Sequence, residues 1–305
     1  MGDVGLAAVV PATNEPPTLA RCLAAIEAAS DGPDEVVVVD RPANAGPARA
    51  RNAGAARTQA DVVVFVDADV LVAADAFTRI REHYRGDPGL TAVFGAYDDA
   101  VATTRLTARF RNLLHHHVHA RSAGPASTFW AGIGAVRRDA FERADGFDTE
   151  RYPRPSIEDV ELGLRLADAG ARIVLDPEIR GTHLKDWTFR QMVETDFSAR
   201  GVPWVRLLLE RREVPSTLNL GWRERASAAA SVGAVLLLAR GRPALAAATA
   251  LSLVPLNAPF YCLLQRRLGS GAALASVPLH VAHHVAGAAA VPVGLATARR
   301  ESPES

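Results

Sequence analysis

The sequence is poor in sulfur and nearly empty of lysine. Only two of its 305 residues are cysteines, Cys22 and Cys262. That excludes a disulfide framework and a cysteine-rich zinc centre, and it suits a reducing compartment. Of the 34 basic residues only Lys185 is a lysine, a bias of composition with no chemistry attached. Acidic residues also number 34, so the formal net charge is zero. The basic excess of a protein that lives on nucleic-acid phosphates is missing, and no nucleic-acid partner is expected. One long stretch lacks charge of one sign altogether. Residues 226–298 contain no Asp, Glu or Lys, and their only basic side chains are Arg240, Arg242, Arg266 and Arg267. Residues 1–6 carry no basic segment, and the apolar run 6–10 goes straight into Pro11. No secretory leader is expected, which keeps the N-terminal domain in the cytoplasm.

What is present divides the chain in two. Hydrophobic residues make up 49%, so disorder over most of the chain is excluded. Residues 1–225 hold 32 acids and 28 bases and read as a soluble catalytic domain. Residues 226–300 read as a membrane region of two, at most three, helices, and 301–305 as a tail. The run 226–239 is short for a span, whereas 243–264 and 272–298 reach the ~20 residues a bilayer core requires. Arginine pairs separate the runs, and two spans would place two of these clusters on the side of the N-terminal domain, as positive-inside bias prefers. An alanine-rich soluble helical domain is the competing reading, because His280, His283 and His284 interrupt the last run. Between 187 and 212, Trp187, Phe189, Met192, Val193, Phe197 and Trp204 accompany Arg190 and Arg200, a composition that suits interfacial helices or a core helix equally.

The N-terminal part alternates strands and helices. The runs 6–10, Glu35–Val39 and Val62–Val66 are short and apolar, as in strands buried on both faces. Leu19, Cys22, Leu23 and Ile26 fall on one helix face, as do Phe77, Ile80 and Tyr84. The order implies an α/β, doubly wound sheet with right-handed crossovers. Each predicted strand ends in polar residues: Pro11-Ala12-Thr13-Asn14-Glu15, then Asp40, then Asp67-Ala68-Asp69. Ligands of open α/β sheets bind outside the carboxyl ends of the strands, so these residues converge.

Two carboxylates two residues apart, Asp67 and Asp69, suit Mg2+ or Mn2+ bridging to substrate phosphates, although a strand-end Asp also serves as a turn or cap. Pro47 fits a first helical turn, from which Arg49 or Arg51 can meet an anion or form a solvated face. Ser156 and Asp159 resemble a capping box at the start of a helix running to about Ala169 and stopped by Gly170. Asp159 nevertheless falls off the polar stripe of Glu158, Glu161, Arg165 and Asp168, so it either caps or points into a site. His115, His116, His117 and His119 sit on an amphipathic helix, where three adjacent histidines point to different faces and do not share one metal.

In order along residues 6–185, the chain carries Val9-Val10-Pro11-Ala12-Thr13-Asn14-Glu15, Asp40, Ala50-Arg51-Asn52-Ala53-Gly54 and Asp67-Ala68-Asp69. Gly132-Ile133-Gly134-Ala135-Val136-Arg137-Arg138, Gly146-Phe147-Asp148 and Glu158-Asp159-Val160-Glu161-Leu162-Gly163-Leu164-Arg165-Leu166 follow. With these motifs the protein resembles a membrane-attached family 2 glycosyltransferase of GT-A fold, a Rossmann-like nucleotide-diphospho-sugar transferase domain. The resemblance implies a donor site of Pro11, Thr13, Glu15, Asp40, Arg51, Asn52 and Asp67. Gly132 and Gly134 would flank the donor sugar and acceptor. It implies a divalent metal, Mn2+ or Mg2+, on Asp69 with Asp67 and His183, and Asp159 as general base with Glu158 beside it. It further implies an inverting transfer, and the apolar tail alone suggests a lipid or lipid-linked acceptor at the cytoplasmic face of the cell (inner) membrane. The segment after Asp40 departs from the family pattern, since Arg41-Pro42-Ala43 leads directly to Asn44, and the nucleotide is left open. The Gln-x-x-Arg-Trp signature of processive synthases is absent, so a processive polymerase is not expected. Two alternatives stand beside the enzyme: a catalytically inactive sugar-nucleotide-binding membrane scaffold, and a nucleotidyltransferase. The second would want a glycine-rich basic loop after the first strand, which 11–17 does not provide.

Overall fold

Runs of β-branched residues have one stable home in water: a sheet covered on both faces. In the computed structural model, which describes residues 4–211 and 221–301, such runs form the centre of the fold. The chain separates into two compact units, Met1–Ala102 with His119–Lys185, and Thr103–Val118 with Asp186–Ser305.

The first unit begins β1 (Leu6–Pro11), α1 (Leu19–Glu27), β2 (Glu35–Val39), α2 (Pro47–Ala55), β3 (Val62–Val66), β4 (Val70–Val72), α3 (Ala76–Gly86) and β5 (Leu90–Tyr97). Helix α4 (Leu106–Ala120) starts in the second unit, and its last two residues belong to the first. The first unit continues with β6 (Gly124–Ala126), β7 (Ile133–Arg137), α5 (Arg138–Arg143), α6 (Glu158–Asp168) and β8 (Arg172–His183).

Strand order is β2-β1-β3-β7-β5-β8-β4, with β6 paired to β8 beside β4. The expected strands β1, β2 and β3 are parallel neighbours, and β1 lies between the other two. The sheet is mixed rather than wholly parallel, because β7 runs antiparallel to both β3 and β5, and β4 antiparallel to β8. Strands β4, β5, β7 and β8 carry no repeated βα pattern that would have announced them.

Alternation along the strands builds a core on each face. On one face Leu6, Ala8, Val10, Val62, Val64 and Val66 pack with Cys22 and Ile26 of α1 and Phe77, Ile80 and Tyr84 of α3. On the other, Val9, Val63 and Phe65 pack with Ala48, Ala50 and Ala55 of α2, Phe141 of α5, Phe147, and Leu162 and Leu166 of α6. Phe65 touches Phe141 and Phe147 with ring centroids 5.4 and 5.1 Å away. Every residue of β3 is fully buried, and each large side chain so placed contributes about 1.5–3 kcal/mol relative to exposure.

The second unit is helical. After the first part of α4 come α7 (Phe189–Glu194), a π-helical turn (Thr195–Gly201), α8 (Val202–Arg211), α9 (Trp222–Ala239), α10 (Pro243–Leu251), α11 (Leu253–Leu256), α12 (Ala258–Leu268), α13 (Ser270–Ala275) and α14 (Val277–Glu301). Position 212, where the expected interfacial segment ends, and all but the first residue of the tail lie outside the described residues. Among the described residues one helical stretch, Ser270–Ala298, is long and apolar enough to cross a membrane. The second expected span is broken: Pro243–Leu256 and Ala258–Leu268 meet at 89° around Asn257. The histidines of α4 have separate partners. His115 meets Arg200, His117 packs on Phe260, and His119 packs on Phe94 and Trp130.

Candidate active site

The order β2-β1-β3 puts three strand ends side by side, and with them Asp40, the Pro11–Glu15 turn region and Asp67-Ala68-Asp69. The turns are tied together: the Ala12 N–H donates to Val39 O (2.8 Å) and the Asn44 N–H to Thr13 O (2.7 Å). Thr13 is buried, whereas Glu15, at φ 49°, and Asp40 are exposed at the rim. Pro11 closes β1.

Arg51 lies on α2 and faces the sheet. It is 4% exposed. Its Nη2 donates to Asp67 Oδ1 at 2.6 Å and its Nη1 to Glu158 Oε1 at 2.9 Å. The neighbouring carboxylates, Asp67 first, hold the guanidinium charged against the cost of burial. One cation thus joins the end of β3 to the start of α6. Arg51 therefore meets protein carboxylates where an anionic ligand was expected, while Arg49 is exposed. Burial pushes the Asp67 carboxyl up, Arg51 opposes the rise, and Asp69 adds to it.

Asp69 pairs across the sheet edge with the other candidate ligand. Strand β4 registers Val70 against His183 of β8, which sets His183 Nε2 3.4 Å from Asp69 Oδ2. The buried imidazole is stacked on Tyr97, 4.1 Å between centroids and 6° from parallel, and Tyr97 meets Trp130 edge-on at 4.7 Å. Burial disfavours the Asp69 carboxylate, but the hydrogen bond and charge of His183 and the charge of Lys185 hold its pKa below the ordinary value. A carboxylate oxygen and an imidazole nitrogen 3.4 Å apart fit one hard divalent cation, whose neighbouring octahedral ligands at ~2.1 Å are about 3 Å from each other. Two protein ligands leave places for diphosphate oxygens and water. Asp67 is engaged instead by Arg51, and among the described residues no three His, Cys, Asp or Glu side chains are grouped to hold an ion.

Asp159 does not cap its helix as the capping-box pattern suggests. Ile157 is the N-cap and offers no side-chain bond, and the Ser156 N–H donates to Glu158 Oε2 at 2.8 Å. Asp159 Oδ2 accepts from the Ala131 N–H (3.2 Å) and Oδ1 from its neighbour Val160 (2.8 Å), which turns the carboxyl towards the loop before β7. Burial first, then the charge of Glu158, pushes its pKa up to about 6, with Arg51 opposing. A carboxyl poised there can take a proton near neutral pH.

Three expected donor residues serve packing. Asn52 uses both ends of its amide on Phe147, donating to its carbonyl (2.8 Å) and accepting from its N–H (2.9 Å). A Cβ at Gly132 would fall 2.1 Å from the Trp130 indole, and one at Gly134 2.2 Å from Trp130 O, so these glycines make room for the aromatic wall beside the site. Tyr97 and Trp130 were not legible as site residues. The one available signal was their position beside predicted polar strand ends and the Gly132-x-Gly134 pair.

Among curated proteins none matches this sequence. The structure is similar to that of the mannosyltransferase PcManGT from Pyrobaculum calidifontis in complex with GDP-Man and Mn2+, at 17% identity and TM-score 0.52, over 94% of this chain and 86% of that one. It is also similar to GalNAc-T7 with UDP, GalNAc and Mn2+, at 13% identity and TM-score 0.47, over 76% of this chain and 51% of that one. Residues 38–144 match the family described as Glycosyl transferase family 2, a segment that takes in Asp40, Arg51, Asp67, Asp69, Gly132 and Gly134 and ends before Glu158, Asp159 and His183. The mixed sheet thus has the GT-A fold, and residues 38–144, about a third of the chain, are similar to family 2 glycosyltransferases.

Proposed function

We propose that the protein is an inverting, divalent-metal-dependent glycosyltransferase that moves a sugar from a nucleotide-diphospho-sugar to the hydroxyl of a lipid or lipid-linked acceptor. Residues 1–225 are the catalytic part, and 226–300 hold it at the cytoplasmic face of a membrane. The observation that carries the reading is the carboxylate array itself: Arg51 joins Glu158, the neighbour of the half-buried Asp159, to Asp67, two residues from the Asp69–His183 pair.

Thr13, Glu15 and Asp40 surround the nucleotide at the ends of β1 and β2. Asp67 meets the ribose or base with the oxygen that Arg51 leaves free. Asp69 and His183 would hold the divalent cation. When bound, it supplies positive charge against the departing diphosphate. Asp159 removes the proton of the acceptor hydroxyl as that oxygen attacks the anomeric carbon, in one displacement with inversion. Arg51 is a positioning residue: by pairing with Asp67 and Glu158 it fixes α6, and so Asp159, relative to the donor.

Thermal unfolding of the detergent-purified chain with UDP, GDP or dTDP, each with and without Mn2+, tests the donor class. A ligand at 100 times its dissociation constant adds about 2.7 kcal/mol of stability. The expected result is a shift with one nucleotide that requires Mn2+ and is lost in Asp69→Asn. No shift with any of these nucleotides overturns the metal-dependent donor site, and binding without donor hydrolysis or transfer overturns the enzyme in favour of the inactive scaffold.

A further inference from the structure

By length and composition the helix Ser270–Ala298 is able to cross a bilayer. Its neighbours in the same unit oppose this. His283 Nδ1 lies 2.8 Å from Asp196 Oδ2 in the π-helical turn, and Asp196 pairs in turn with Arg111 of α4 at 2.5 Å. Further along, a Cβ at Gly201 would sit 2.6 Å from Ala290 Cβ, and one at Gly294 would sit 2.6 Å from Val205 Cβ. Position numbers rise together in both segments, so α14 runs parallel to the π-helical turn and α8 from His283 to Gly294.

That companion layer is charged. Between positions 196 and 211 it carries Asp196, Arg200, Arg206, Glu210 and Arg211, and Arg200 is bonded to His115 of α4 at 2.7 Å. A crossing α14 would take this layer to bilayer depth, where ionised side chains are costly. Only positions 270–282 precede these contacts. They amount to about 20 Å of helix, two thirds of the ~30 Å hydrocarbon core.

The remaining surface has the opposite character. Leu236, Leu238, Leu245, Leu274, Val291 and Leu295 are exposed. Arg240, Arg242, Arg266 and Arg267 at the helix turns are exposed too, and no acidic residue lies between 226 and 298. Within 226–298, exposed apolar surface accompanied by arginines and no acid matches the interface of an anionic bilayer. We propose that the C-terminal region binds one leaflet of an anionic membrane as an in-plane anchor, in which α14 lies along the interface and Ser270 and Ala298 face the same side. This rests on the membrane attachment proposed above.

The full-length protein is first floated with phosphatidylglycerol–phosphatidylcholine vesicles. Single-cysteine variants Ser270→Cys, Ala298→Cys and, as the catalytic-side reference, Glu150→Cys are then made in a Cys262→Ser background. They are labelled with a membrane-impermeant maleimide in sealed, cytoplasmic-side-out membrane vesicles, before and after detergent. All three are expected to label before detergent. Labelling of Ser270→Cys or Ala298→Cys only after detergent overturns the in-plane anchor. A C-terminal epitope tag on the otherwise native chain gives a second readout: protease removes it from sealed vesicles if the anchor lies in plane, and protection overturns it. Failure to float overturns the membrane attachment itself, an outcome distinct from flotation with a crossing helix.

Discussion

Replacing Asp159 by asparagine should stabilise the protein while disabling it. The carboxyl pKa is raised from 3.8 to about 6, so ionising it in the folded state costs about 3 kcal/mol more than in the unfolded chain. The sign follows from proton binding. Below pH 4 both states hold the proton and the penalty is nil. It grows between pH 4 and 6, and above pH 6 it is complete. The substituted amide carries no charge and escapes it, but each oxygen of Asp159 accepts a backbone N–H, and an amide accepts at one end only. The lost bond costs about 1 kcal/mol. The net expectation at pH 8 is a gain of about 2 kcal/mol, or roughly 4–8 °C in Tm at the 2–4 °C per kcal/mol typical of domains of 150–250 residues. At pH 4 the gain should vanish or reverse. Paired melts of wild type and Asp159→Asn from pH 4 to 8 measure this without knowledge of the acceptor. A variant less stable than wild type at pH 8, with a difference independent of pH, would refute the poised carboxyl.

Once an acceptor is in hand, the same variant should lose 10²–10⁴-fold in kcat if Asp159 is the general base, and near-normal turnover would sink that role. Wild-type kcat/KM should fall about tenfold per pH unit below pH 6, because the base must be unprotonated. Arg51→Met strands Asp67 and Glu158 in a buried site and should cost about 3–5 kcal/mol, read by urea denaturation; a loss under 1 kcal/mol would show that α6 is held by other contacts. His183→Ala should raise the Mn2+ concentration needed for half-maximal nucleotide-induced stabilisation while leaving the metal-free melt within a few degrees; an unchanged requirement would remove His183 from the cation. Phe65→Ala, at the centre of an aromatic cluster, should cost about 3–5 kcal/mol in the same denaturation assay, and a milder loss would mean the cluster collapses onto the gap.

Local pattern made much of this protein legible. Buried parallel strands need unbroken β-branched runs, so β1, β2 and β3 stand out in the chain as 6–10, Glu35–Val39 and Val62–Val66. Helix faces repeat every three to four residues, so α1 and α3 are visible in Leu19–Ile26 and Phe77–Tyr84. Polar residues at strand ends marked Thr13, Asp40, Asp67 and Asp69, because the ligand crevice of an open α/β sheet lies outside the carboxyl ends of its parallel strands. Charge depletion marked 226–298 as the apolar part of the chain, which folds as helices.

Contacts distant along the chain were decided only by tertiary structure. Asp69 and His183 meet because β4 and β8 pair antiparallel, a register that no local period encodes. Arg51 faces two carboxylates, 16 and 107 positions away, because α2 packs across the strand ends. The same sequence pattern would equally serve a solvated basic face. Asp159 followed a capping-box spacing, yet its oxygens went to the N–H groups of Ala131 and Val160, since the first turn of α6 starts after Ile157. Hydropathy allowed 243–264 as a straight span, while the bend at Asn257 turned it through 89°. Residue type and spacing therefore determined which groups are buried and which elements form. Which of those groups touch depended on strand pairing and helix packing between segments that carry no record of one another.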